Sequence, residues 1–185
     1  MTKKSEPWYI HAVLYVIIAV LIYVLIRVAI IDPTEHIEKE KYNISESHLR
    51  MDNIRQAQIL WQQKNSRFTD RLDSLIDFVK TDSTVHQLMV GVDTLTNRST
   101  NPFKKLSKDE FNADSLFYSP ATHSKYVLQV DTTITIDTVV TPRGKIKGID
   151  TTIVIGNLYY LECPDGYGSI GSLESQARKN AASWE

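Results

Sequence analysis

A chain of 185 residues with 21 Lys and Arg against 22 Asp and Glu has room for one ordinary domain and an appendage, and its net charge of −1 supplies no basic footprint. Nucleic acid is thereby excluded as an expected partner. The single cysteine, Cys163, rules out an internal disulfide, so the domain must be held by its core.

The appendage comes first. From Trp8 to Ile26 the chain has no formal charge and is almost entirely Val, Ile, Leu and Ala, with His11 and three tyrosines as exceptions. About twenty such residues, rising ~1.5 Å each, cross a ~30 Å hydrocarbon core. Trp8 and Tyr9 suit one interface, and Arg27 can extend its guanidinium to the other. A cleavable signal peptide would have a shorter apolar run ending in a small-x-small site, which "RVAIIDP" does not offer, so an uncleaved anchor over 8–31 is expected. Lys3 and Lys4 precede the span, which makes 1–7 a cytoplasmic tail and sends the remainder outward. The expected location is a bacterial inner membrane, crossed once, with the C-terminal domain in the periplasm.

Beyond the span, Asp32 as N-cap and Pro33 at the first helical position predict a new helix start. Ile37, Ile44 and Met51, then Ile54 and Trp61, recur at seven-residue steps and draw one narrow seam along a helix reaching about Lys64. Glu40, Ser47 and Gln58 occupy other seam positions, which disfavours a long coiled coil. The expectation is a stalk helix over 32–53, solvated in its first half and packed on its own domain in its second. The domain itself is expected over 54–185. Ile37, Ile44 and Met51 are the candidate interaction residues, free for another chain.

After the polar "NSRFTD", Leu72, Leu75, Ile76 and Val79 predict a second, shorter helix at i, i+3, i+4, i+7 spacing. Residues 81–124 read as a loop-rich connection with one short helix near "KDEFNADSLF". From Tyr126 the period becomes two, with Leu128, Val130, Ile134, Ile136 and Val140 on one face of a half-buried antiparallel strand. "TPRGK" reads as a turn, "IDTTIVI" as a second strand, Gly156–Asn157 as a two-residue hairpin turn, and "LYYLEC" as a third strand.

The order of elements, together with Trp61, the turn Lys64 to Arg67, Phe68 with Thr69, and Leu72 with Leu75 and Ile76, resembles the type IV pilins and pseudopilins. Close likeness covers about forty residues around that turn and element order covers the rest. The family's Gly-Phe cleavage junction and the Glu that follows it have no counterpart string here. The resemblance implies an α+β, pilin-like fold in which the N-terminal transmembrane helix continues into a stalk packed on a small antiparallel sheet. It does not imply processing by a prepilin peptidase.

Four patterns invite a chemical reading. "GYGSIG" at 166–171 fits G-x-G-x-x-G, but a dinucleotide site also needs a further parallel strand and an acid about twenty residues on, so a Gly-rich loop is expected. His36 and Glu40 lie one helical turn apart, yet two ligands make no metal site, and His48 is a further two turns away. Asp131, Asp137 and Asp150 alternate along strands and do not converge as calcium requires. Cys163 has no nucleophile's partner at usable spacing, although folding could bring His123 to it. No catalytic residue, metal or cofactor is therefore expected. Two functions stay open: a structural or interaction component of an envelope assembly, related to secretion or the cell surface, meeting other envelope proteins or itself through anchor and stalk; or a membrane-tethered ligand-binding or sensor module using 81–124 or the strand faces.

Overall fold

The computed structural model describes residues 8–107, 110–140 and 146–185, the side chains of residues 30, 133–140 and 146–154 excepted. The expected tail 1–7, the "TPRGK" turn and the inward positions Ile134, Ile136 and Val140 lie outside what is described. The chain forms two compact units, Met1–Tyr42 and Asn43–Glu185.

The first unit is helical. Helix α1, Trp8–Ile26, is uncharged, buries none of its residues, and is long and apolar enough to cross a membrane. The expected fresh helix start at Asp32 does not occur. Asp32 has helical dihedrals, φ −59° and ψ −46°, and its backbone N–H bonds the Arg27 carbonyl five residues back. Pro33 explains this: its ring crowds the carbonyl one turn earlier and it has no N–H to offer, so the helix widens over Arg27–Ile31 instead of stopping. Helix α2 then runs over Asp32–Asn65.

The second unit is α+β. Its core gathers Met51, Ile54 and Ala57 of α2, Phe68, then Leu72, Leu75, Ile76 and Val79 of α3 (Leu72–Thr81), against Tyr126, Leu128, Tyr159, Leu161 and Ile170 of the sheet. The unit begins at Asn43 and not near Ile54, because Glu46, Ser47, Met51, Asp52 and Asn53 are already buried in it. Helix α4, Ser83–Val90, was not anticipated. Asp82 caps it, its side chain accepting from the N–H groups of Thr84 and Val85 at 2.9 and 3.1 Å. The short helix near "KDEFNADSLF" is a 3-10 turn at Ala113–Phe117.

The sheet has three antiparallel strands in the order β1-β2-β3: Val127–Val140, Ile146–Glu162 and Ser169–Gly171. The expected hairpin turn at Gly156–Asn157 is instead a bulge within one long β2. Val130 pairs with Tyr159 and Thr132 with Ile155, leaving Asp131 opposite the extra residues. Asp131 Oδ1 takes the Leu158 N–H at 2.6 Å. Gly156 has φ +74°, and its carbonyl accepts the Phe68 N–H at 2.7 Å. A Cβ on Gly156 would stand 2.7 Å from the Phe68 carbonyl oxygen, so glycine is needed twice over. The left-handed residue that marks a turn marks a bulge equally well, and here residues after it keep pairing with β1. The third strand comes from "GYGSIG", whose Gly166, Gly168 and Gly171 all have positive φ in a tight return from β2.

Candidate interaction surface

Along α2, a polar stripe at Glu46, Arg50, Asn53 and Gln58 turns inward and holds loops by their backbones. An amide side chain carries one donor and one acceptor set like those of a peptide group. Asn53 uses both on Lys104, accepting its N–H at 2.7 Å and donating to its carbonyl at 2.9 Å. Gln58 does the same to Thr69, at 3.2 and 2.6 Å. Glu46 accepts the Ser107 N–H at 2.9 Å and the Arg50 Nε–H at 3.0 Å, while Arg50 Nη1 donates to the Tyr118 carbonyl at 2.7 Å. Burial pushes the Glu46 carboxyl up, but the Ser107 bonds and Arg50 outweigh it and hold the group below its ordinary value.

The C-terminal residues are clasped from the same helix. His48 stacks on Trp184 with ring centroids 3.9 Å apart, and its Nε2 lies 2.7 Å from the Tyr167 carbonyl, which can only accept. Arg55 donates to the Asn180 carbonyl and to Glu185, at 3.0 and 3.1 Å.

Of the three residues expected to face another chain, Ile37 is 52% exposed, Ile44 is half-buried, and Met51 is wholly buried in the second unit's core. Met51 is therefore corrected from interaction residue to core residue. A heptad count could not separate them, since Met51 shares its seam with Ile54 and its burial follows from the sheet and loops folding onto that turn of α2.

Cys163 is buried with its Sγ 3.1 Å from Ser47 Oγ, which in turn lies 3.0 Å from Tyr126 Oη. This places Ser47, a seam position, as the thiol's neighbour, while His123 is exposed on a left-handed turn residue. Burial drives the Tyr126 phenol far above its ordinary value, so that hydroxyl stays uncharged. His36 and Glu40 are exposed, and Asp131 is committed to the bulge. The side chains of Asp137 and Asp150 are outside the described residues. Among the described residues no three His, Cys, Asp or Glu gather as a metal would need.

An open cleft of about 590 Å³ lies where the end of α2, the 67–71 turn and β1 meet, lined among others by Trp61, Arg67, Phe68, Arg71, Leu128 and Val130. Sequence reasoning passed over it, because its walls come from elements distant in the chain. A second exposed feature is the loop 91–100. Val92 bridges Ser99, Asp93 accepts the Leu95 N–H at 3.0 Å, and Leu95 stands 93% exposed at the tip.

No protein family, curated protein or solved structure matches this chain.

Proposed function

We propose that this protein is a single-pass, membrane-anchored structural or interaction component of a bacterial envelope assembly, pilin-like in its second unit, with residues 1–7 cytoplasmic and the α+β unit periplasmic. The observation that carries the reading is the uncharged α1, which buries nothing, in one chain with a small α+β unit whose polar interior groups are spent on holding loops. Structural work suits such an interior, since a side chain bonded on both sides is not available for chemistry. In this reading Ile37 and Ile44 carry the association.

A second reading, a tethered ligand-binding module, is favoured by the loop 91–100, whose fixed backbone presents Leu95 to solvent.

Changing Ile37 and Ile44 together to Ser, in full-length protein taken from membranes in detergent, is expected to abolish self-association or co-purification of stoichiometric partners. The urea midpoint of the second unit reports whether folding is spared, and Ile37→Ser alone covers the case in which half-buried Ile44 proves structural. Unchanged association in both variants sinks the stalk as the contact and moves attention to α1.

A further inference from the structure

The sheet ends at β1, and beyond Tyr126 the outer side of that strand pairs with no other strand among the described residues. Tyr126, just before β1, sends its N–H to the Phe117 carbonyl at 3.4 Å, away from β2. In an antiparallel strand the N–H and C=O of one residue point to the same side, and the side alternates from residue to residue. Leu128 and Val130 therefore point their backbone groups outward, as Tyr126 does.

The far edge gives the same parity independently. The Gly171 N–H and Ser169 carbonyl bond Ala181 and Ser183, away from β2. Ile170 between them must face Leu161, with which it is paired. Tyr160 and Glu162 then face β1, and their partners Gln129 and Val127 use up their own groups on β2. Leu128 and Val130 are again left pointing outward, and both line the cleft. No hydrogen bond among the described residues reaches those outward groups. Nor does this stretch of edge carry the Lys or Pro with which exposed edges are commonly blunted.

The charge around the cleft has one sign in excess. Arg67 and Arg71 line it, and neither guanidinium has an ion pair or hydrogen bond among the described residues. Lys179 lies 4.8 Å above the Phe68 ring beside them. Asp70 is the one acid in the lining. Apolar wall is supplied by Phe68, Leu128 and Val130, which suits alternate side chains of an added strand.

We propose that an extended, acidic segment of a partner protein adds to β1 in this cleft, its main chain pairing with Leu128 and Val130 and its carboxylate meeting Arg67 and Arg71. Main-chain pairing supplies the affinity, and the arginines choose the partner and set its register. The inference rests on the interaction-component reading and names a contact that reading leaves unspecified.

The test uses the full-length chain in detergent micelles and a fluorescein-labelled Thr-Val-Thr-Glu-Thr amide, whose Val and Glu share one face of an extended strand, read by polarisation. Saturable binding is expected. It should weaken at least about tenfold when the peptide's Glu becomes Gln, when the backbone nitrogens of its Val and Glu are methylated, or when the protein carries Arg67→Glu with Arg71→Glu at an unchanged urea midpoint. No saturable binding at millimolar peptide overturns the proposal, as does binding indifferent to N-methylation or to the charge reversals. A dimer of the chain that the peptide disperses would assign the edge to a second copy and likewise overturn it. Association through Ile37 and Ile44 is read separately, so failure here leaves the stalk reading standing.

Discussion

Helix α3 buries Leu72, Leu75, Ile76 and Val79 and nothing polar, whereas the buried face of α2 carries Glu46, Ser47, Asp52, Asn53 and Gln58 beside Met51, Ile54 and Ala57. The two helices share one core and are kept in it differently. For α3, the gain is apolar surface removed from water, worth about 1.5–3 kcal/mol for each large side chain. It is insensitive to which neighbour does the covering. For α2, the buried amides and carboxylate contribute by meeting particular backbone groups, and leaving one unmet costs about 1–3 kcal/mol. That helix thus dictates where the loops at 69, 104 and 107 must lie, while α3 dictates only that something apolar lies over it.

The contrast breaks first at the apolar positions. Leu75→Ala should cost about 2–5 kcal/mol in urea unfolding of the full-length protein in detergent, with all probes of the second unit shifting together. A loss near zero would mean that α3 does not hold the core.

A smaller and more local effect is expected from α2. Asn53→Ala should cost about 1–3 kcal/mol by leaving both Lys104 backbone groups unmet. Hydrogen exchange should accelerate around residues 101–107 and leave 67–70 unchanged, with Gln58→Ala giving the reverse pattern. Uniform acceleration in either variant would erase the distinction between the helices.

The smallest effect concerns pH. The Glu46 carboxyl is depressed in the folded state, so the unfolded chain binds the proton first, and the group's contribution is complete above the unfolded value near 4.5. It is lost as pH falls below that through the lower folded value. Glu46→Gln should therefore flatten the fall in the urea midpoint between pH 5 and pH 3, on the order of one carboxylate's share. An unaltered slope would mean that Ser107 and Arg50 do not hold the charged form.

The same contrast explains which elements could be read from the chain. Helix α3 was legible because its four apolar residues recur at helical spacing, and β1 because its residues alternate. The inward stripe of α2 was not, since Glu46, Asn53 and Gln58 resemble a solvated face until the loops they bind are known. In the sequence, Ser47 and Gln58 show only as interruptions of an apolar seam. Helix α4 left no periodic pattern, because Val85 is the one residue it buries. Gly156 signalled a left-handed residue correctly, and local sequence does not say whether the next residues turn back or go on. The cleft beside β1 was illegible for a further reason, being a property of a sheet edge that no single segment owns.

The bulge at Asp131 and Gly156 has a consequence for how this protein can change over generations. It is pinned from both strands, by Asp131 to Leu158 and by Gly156 to Phe68, on the core side of the long ribbon that β1 and β2 form beyond it. Register on the core side is set there. Residues can therefore be gained or lost in facing pairs beyond Thr132 and Ile155 without displacing Tyr159 or Leu161. Ribbon length is thus a trait that drift or selection can adjust independently of the folded body, and relatives should differ there before they differ anywhere in the core.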